Sequence, residues 1–218
     1  MSIMKSLMAK PWMAEQVLLD NRYPGDASER LVKQLALRVF LAVVAVLFIL
    51  LIVAYAGRMG YSDWRPVPQL SLLWVNTGAL LLASLAFELS RYALSHNRLQ
   101  TMRVSLLAGG ALTMVFLFGQ MLAWRQLTTM SYFDITIPAI GFFYILTGLH
   151  ALHMVGGLFV WGNTVPKVWN NFDPIKVKQT VDLCATYWNF LLLVWVVMFG
   201  LLFSGDNLDA LLKLCGIK

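Results

Sequence analysis

The chain has 218 residues, 59% of them hydrophobic and 13% charged, with a formal net charge of +6. That apolarity excludes an ordinary soluble domain, where charged residues make up about a quarter of the total. The positive balance does not point to nucleic acid, because the Lys and Arg residues sit between apolar runs, where they set membrane topology.

Residues 1–34 are polar to amphipathic, broken by Pro11 and by Tyr23, Pro24, Gly25 and Asp26, a turn signal. Ile3, Met4, Leu7, Met8 and Trp12 can line a short helix on the membrane surface, with Lys5 and Lys10 towards headgroups. A tail that orders only on a partner fits equally well, and both readings stay open. No compact apolar core of a cleavable signal peptide is evident, so the first apolar run is expected to act as an uncleaved anchor.

Five apolar runs follow. Crossing roughly 30 Å of hydrocarbon at about 1.5 Å per residue takes about 20 residues, and each run reaches that length. They are expected over residues 35–55, 70–92, 104–127, 140–161 and 183–203. Asn76, Thr77, Ser84 and Glu88 lie in the second, and Gly109, Gly110 and Gln120 in the third. The fourth contains Thr147, Gly148, His150, His153, Gly156 and Gly157, and the fifth contains Tyr187, Trp188, Asn189 and Trp195. Beyond them, Asp206 can cap a short surface helix whose stripe is Leu208, Leu211, Leu212 and Cys215, stopped by Gly216. Residues 1–34, 35–203 and 204–218 are thus read as an interfacial segment, a membrane domain and a surface helix.

Backbone groups facing lipid must be paired internally, so the expected fold is all-α, a five-helix transmembrane bundle. Twelve Lys and Arg residues fall on the N-terminal side of the spans and five on the other side. This places the N-terminus in the cytoplasm and the C-terminus in the periplasm. Cys184 and Cys215 then lie on opposite sides of the bilayer, too far apart for a disulfide.

His150 and His153 share one face of the fourth span, since i and i+3 are neighbours on a helix. The third histidine, His96, lies in a polar link. A metal at the pair would need ligands from other spans, whose middles offer none. Hydrogen bonding between helices is therefore the expected role of both histidines, and no metal or catalytic site is expected in this chain. Glu88 is expected to pair with Arg91 three residues on, with a proton- or ion-handling role as the other reading of an ionisable residue in a span. Asn76, Gln120 and Asn189 suit hydrogen bonds between helices, and Gly109–Gly110 and Gly156–Gly157 suit close helix approach. A small transporter would more commonly show broken helices or a charge at mid-depth.

The run TGLHALHMVGG (147–157) resembles the T-G-x-H-x-x-H-x-x-x-G signature of haem–copper oxidase subunit III, the family of cytochrome c oxidase subunit 3. NTGALLLASLAFE (76–88) resembles the family's N-T-x-x-L-L-x-S-S stretch, and YWNFLLLVW (187–195) its Y-W-H-F-x-D-x-x-W motif. FGQMLAWRQL (118–127) looks like the end of the same helix in bacterial members. Five spans are similar to the shorter bacterial form. The resemblance implies a non-catalytic subunit of the respiratory, electron-transporting complex in the bacterial inner membrane. Such a subunit packs on the catalytic subunit, binds phospholipid, and supports assembly and turnover stability; haem and copper are expected only in partner subunits. The same fold serving a nitric oxide reductase or another membrane complex is the alternative. Where the family carries His and Asp in its last helix, this chain has Asn189 and Leu192. Val44 and Ala123 fall near two further acidic positions of the family. The implied packing and lipid roles carry over to these residues; a charged, proton-handling role does not.

Overall fold

The structure is a computed structural model that describes residues 25–61, 64–65, 67–68, 70–129, 138–170 and 174–203. The surface helices expected near residues 3–12 and 206–216 lie outside them. The described residues form five helices: α1 (Gly25–Met59), α2 (Ser71–Ser95), α3 (Leu99–Thr129), α4 (Pro138–Asn170) and α5 (Pro174–Phe203). Each contains a segment long and apolar enough to cross a membrane.

The five expected spans are present, but every helix outruns its span. Gly25 and Asp26 belong to α1 rather than to a turn, and no glycine or proline interrupts the chain from there to Gly57. Pro138 and Pro174, expected in loops, each open a helix. Proline suits the first helical position, where its missing N–H would have no partner and its φ is already helical. Between α2 and α3 only His96, Asn97 and Arg98 remain. Asn97 takes φ 56°, a left-handed conformation that asparagine tolerates. The amides of His96, Asn97 and Arg98 turn back onto the carbonyls of Ala93 and Leu94.

The chain divides into two compact units, residues 1–40 and residues 41–218. In the first, the described stretch of α1 exposes Leu31, Val32, Leu35 and Val39. In the second, α2 packs on α3 and α5, and α4 packs on α5 and α3. Contacts between helices adjacent in sequence run antiparallel, as an up-and-down bundle requires. Thus Trp124 of α3 meets Thr147 of α4, and Leu106 meets Trp161.

Polarity marks the inside of this bundle. Asn76, Thr77, Leu80, Ala83, Ser84, Phe87 and Ser90 form the buried stripe of α2, whereas Leu81, Leu82, Leu85 and Leu89 are exposed. Lipid tails are as apolar as leucine, so leucine gains nothing by facing inward, and hydrogen-bonding groups take the interior. Two apolar clusters fill the rest. One surrounds Phe116, Phe143 and Trp195; the other joins Phe87, Met102, Leu106, Val168 and Trp188. Val44 and Ala123 are buried in the first cluster, and Leu192 packs against it.

Candidate functional site

Three buried or half-buried tryptophans tie the helices together in the same way. Trp195 Nε1 donates to Thr77 Oγ1 at 2.9 Å, and Thr77 donates in turn to the carbonyl of Leu73 at 2.8 Å. Trp188 donates to Thr113 at 2.8 Å, and Thr113 to the carbonyl of Gly109 at 2.8 Å. Trp124 donates to Thr147 at 3.1 Å, and Thr147 to the carbonyl of Phe143 at 2.7 Å. Each threonine hydroxyl hands its proton to the residue four positions back in its own helix and accepts the indole N–H of another helix. The three bridges join α5 to α2, α5 to α3, and α3 to α4.

Glycine gives two further donors access to backbone. Tyr187 Oη donates to the carbonyl of His153 at 2.7 Å, and Trp161 Nε1 to the carbonyl of Leu106 at 2.9 Å. In both cases a glycine lies four residues after the acceptor, directly over the carbonyl: Gly157 and Gly110. A Cβ at Gly157 would stand 2.5 Å from Tyr187 Cε1, and one at Gly110 would collide with the Trp161 ring. Gly119 makes room for Asn76 in the same manner, and Asn76 Nδ2 reaches Gln120 Oε1 at 3.5 Å. Gly148 and Gly156 differ: a Cβ at either would meet nothing within 4 Å. Of the pair Gly156–Gly157, only Gly157 lies at a close helix contact, because Gly156 points away from the bundle and is exposed.

The histidines part company too. His150 is fully buried, and among the described residues neither of its ring nitrogens has a hydrogen-bond partner. Its neighbours are aromatic: Phe48 at 6.4 Å, Phe116 at 5.9 Å and Trp195 at 5.2 Å between ring centroids. His153 turns Nδ1 to the carbonyl of Leu149 in its own helix at 2.7 Å. The expected helix-to-helix hydrogen bond from His150 is therefore not what holds the region. Aromatic packing surrounds that ring, and the cross-helix bonds nearby come from tryptophan, tyrosine and the Asn76–Gln120 pair. Among the described residues no group of three His, Cys, Asp or Glu side chains is arranged to hold a metal ion.

A second polar group sits towards the other end of α2. Glu88 pairs with Arg91 at 2.8 Å, as the i,i+3 spacing leads one to expect, and its other oxygen accepts Asn189 Nδ2. Ser84 donates to Asn189 Oδ1. Asn189 thus uses both ends of its amide between α5 and α2. Asp182 lies within electrostatic reach of Arg91, Lys178 and Glu88.

The structure gathers Asn76, Thr77, Gln120, Thr147, His150 and Trp195 around one level of the bundle. Tyr187, His153 and Gly157 form one contact, and Glu88 and Asn189 another. Thr113, Trp124, Trp161 and Gly119 complete these contacts without having been assigned them from the sequence, although Gly119 and Trp124 lie in the FGQMLAWRQL motif. Their one sequence signal is a Thr, Trp or Gly isolated within an apolar run.

Residues 1–204 match the family model described as cytochrome c oxidase subunit III. The chain is similar to cytochrome c oxidase subunit 3 of Synechocystis sp., with 27% identity over 75% of this chain and 72% of that one. The same protein of Thermostichus vulcanus is 28% identical over 78% and 85%. A probable cytochrome c oxidase subunit 3 of Nocardia farcinica is 30% identical over 72% and 78%.

Proposed function

Because this chain belongs to the cytochrome c oxidase subunit III family, and so is an accessory subunit of a haem–copper oxidase, we propose that it packs on the catalytic subunit, seats phospholipid against α1, and so supports assembly and turnover stability. It is a multi-pass protein of the bacterial inner membrane. In our reading the N-terminus is cytoplasmic, on the strength of the Lys and Arg distribution.

The observation that carries the lipid part of this reading is how the 41–59 part of α1 meets α4. Long rings make that contact: Phe48 reaches His150 and His153, and Tyr55 reaches Phe142 at 5.8 Å. The outward side chains Val43, Val46, Leu50 and Val53 are all exposed, as a surface facing lipid or another apolar subunit needs.

Haem and copper belong, in this reading, to the partner subunits. The family-motif residues Asn76, Thr77, Gln120, Thr147, His150, Tyr187, Trp188 and Trp195 act as packing groups that fix the bundle against which lipid is held.

The test compares the oxidase purified in mild detergent with and without this subunit. The expected result is an unchanged haem spectrum and initial rate, fewer phospholipids per haem, and faster loss of activity during turnover. Equal lipid content together with equal inactivation would refute the proposal. So would solute transport by vesicles containing this chain alone.

A further inference from the structure

Two fully buried polar side chains retain unmet hydrogen-bonding groups, and the helix register brings them to one level. His150 has both ring nitrogens without a partner among the described residues, and Gln120 Nε2 has none either. Gln120 is 1% exposed and His150 0%. An unpaired buried polar group is destabilising, and the hydrocarbon around a membrane bundle offers no alternative partner. Two such groups on adjacent helices therefore call for a shared solution.

The register follows from the contacts already described. Trp124 of α3 bonds Thr147 of α4. One turn back along α3 from Trp124 is Gln120; three residues onward along α4 from Thr147 is His150. Because these helices run antiparallel, the two steps lead in the same direction and end at the same height. Phe116, one further turn back on α3, confirms the proximity, with its ring 5.9 Å from His150 and 4.8 Å from Trp195. Trp195 bonds Thr77, whose chain neighbour Asn76 bonds Gln120. Gln120 and His150 are thus linked through Asn76, Thr77 and Trp195, and through Phe116 one turn from Gln120, without being hydrogen-bonded to each other.

We infer that Gln120 and His150 form a binding site for one internal water molecule in the middle of the membrane domain, bridging Gln120 Nε2 to a ring nitrogen of His150. The chemistry is complementary. The glutamine amide donates, a neutral imidazole carries one acceptor nitrogen, and water accepts from the first while donating to the second. Buried waters make two to four such bonds, to buried polar groups that otherwise have no partner. The remaining imidazole N–H has aromatic rings for neighbours, where a weak N–H···π contact is available. The Nδ1 of His153 is directed to the carbonyl of Leu149 in its own helix. The site explains why a histidine and a glutamine occupy positions that leucine could fill: the solvent molecule links α3 to α4 where no direct bond does. The inference does not depend on the proposed lipid role.

The decisive measurement is a cryo-EM map of the intact oxidase complex in lipid nanodiscs, at a resolution that shows ordered water. The expected result is a density peak about 2.7–3.2 Å from both Gln120 Nε2 and a His150 nitrogen. An empty gap there, or a direct bond between the two side chains, overturns the inference. A double-mutant cycle gives an independent reading through the melting temperature of the subunit in the complex. Gln120→Leu and His150→Phe each strand the water and one partner, whereas the double variant removes all three. The double variant is therefore expected to melt no lower than the worse single variant. Strictly additive losses overturn the inference, and if any variant fails to assemble, the map of the unaltered complex decides.

Discussion

Replacing Gly110 and Gly156 by alanine, one at a time, sets the packing account against sequence intuition. Both glycines lie in small-residue patches of membrane helices, and nothing in the local sequence separates them. At Gly110 the new methyl group would be 2.7 Å from Trp161 Cη2 and closer still to its Cζ2 and Cε2. Carbon atoms rest about 3.5–4.0 Å apart, so the indole must retreat by more than 1 Å. The ring is held by its bond to the Leu106 carbonyl at 2.9 Å, and a retreat of that size breaks it. Overpacking costs about 1–3 kcal/mol, and the lost cross-helix bond about 1 kcal/mol more. Gly110→Ala should therefore destabilise the bundle by about 2–4 kcal/mol. At Gly156 the methyl group meets nothing within 4 Å, so the variant keeps every contact and gains up to about 1 kcal/mol of helix propensity. For a domain of this size each kcal/mol is worth about 2–4 °C. Heating the detergent-purified complex and following loss of this subunit by gel filtration should show Gly110→Ala melting roughly 4–15 °C lower, with Gly156→Ala unchanged or slightly higher. Equal melting of Gly110→Ala and the unaltered chain would refute the reasoning, as would equal damage by both variants.

Trp195→Phe keeps an aromatic ring against His150 and Phe116 but removes the donor to Thr77; it should cost about 0.6–2 kcal/mol, and adding Thr77→Val should cost little more in the same melting assay. Val44→Glu places a carboxyl at a position 4% exposed beside Phe48, so membrane levels of the subunit by immunoblot should fall in line with a loss of about 3 kcal/mol; unchanged levels and melting would contradict the burial assigned to Val44. Cys184 is a free thiol, 7% exposed. In a Cys215→Ser background a maleimide should label the folded complex only after denaturation, and rapid labelling beforehand would show that α5 is not packed as described.

Span number and position were legible in the sequence because both depend on composition alone. Span ends were not. Pro138 and Pro174 read as loop residues, yet the same ring that breaks a helix interior suits its first position, and only the backbone tells the two apart. The i,i+3 spacing made the Glu88–Arg91 pair visible, since both partners lie on one helix. It made the shared face of His150 and His153 visible too, but not the difference between them. One ring is enclosed by Phe48, Phe116 and Trp195 from three other helices, and no spacing within α4 encodes that. The same limit hid Gly119 and Thr113. Their partners, Asn76 and Trp188, are far away in the chain, and the match depends on inter-helix register to within one residue.

The tryptophan–threonine bridges have a consequence for how the bundle is put together. Thr77, Thr113 and Thr147 each direct their proton to a carbonyl four residues back, a bond available as soon as the single helix exists. These threonines can enter the bilayer already satisfied, each helix on its own. Their indole partners cannot: Trp124, Trp188 and Trp195 arrive with an N–H that hydrocarbon leaves bare until the neighbouring helix docks. The acceptors are thus ready before assembly and the donors only upon it. Insertion proceeds helix by helix without penalty at the threonines, while separation of the finished bundle must strip these three indoles, and that of Trp161 with them.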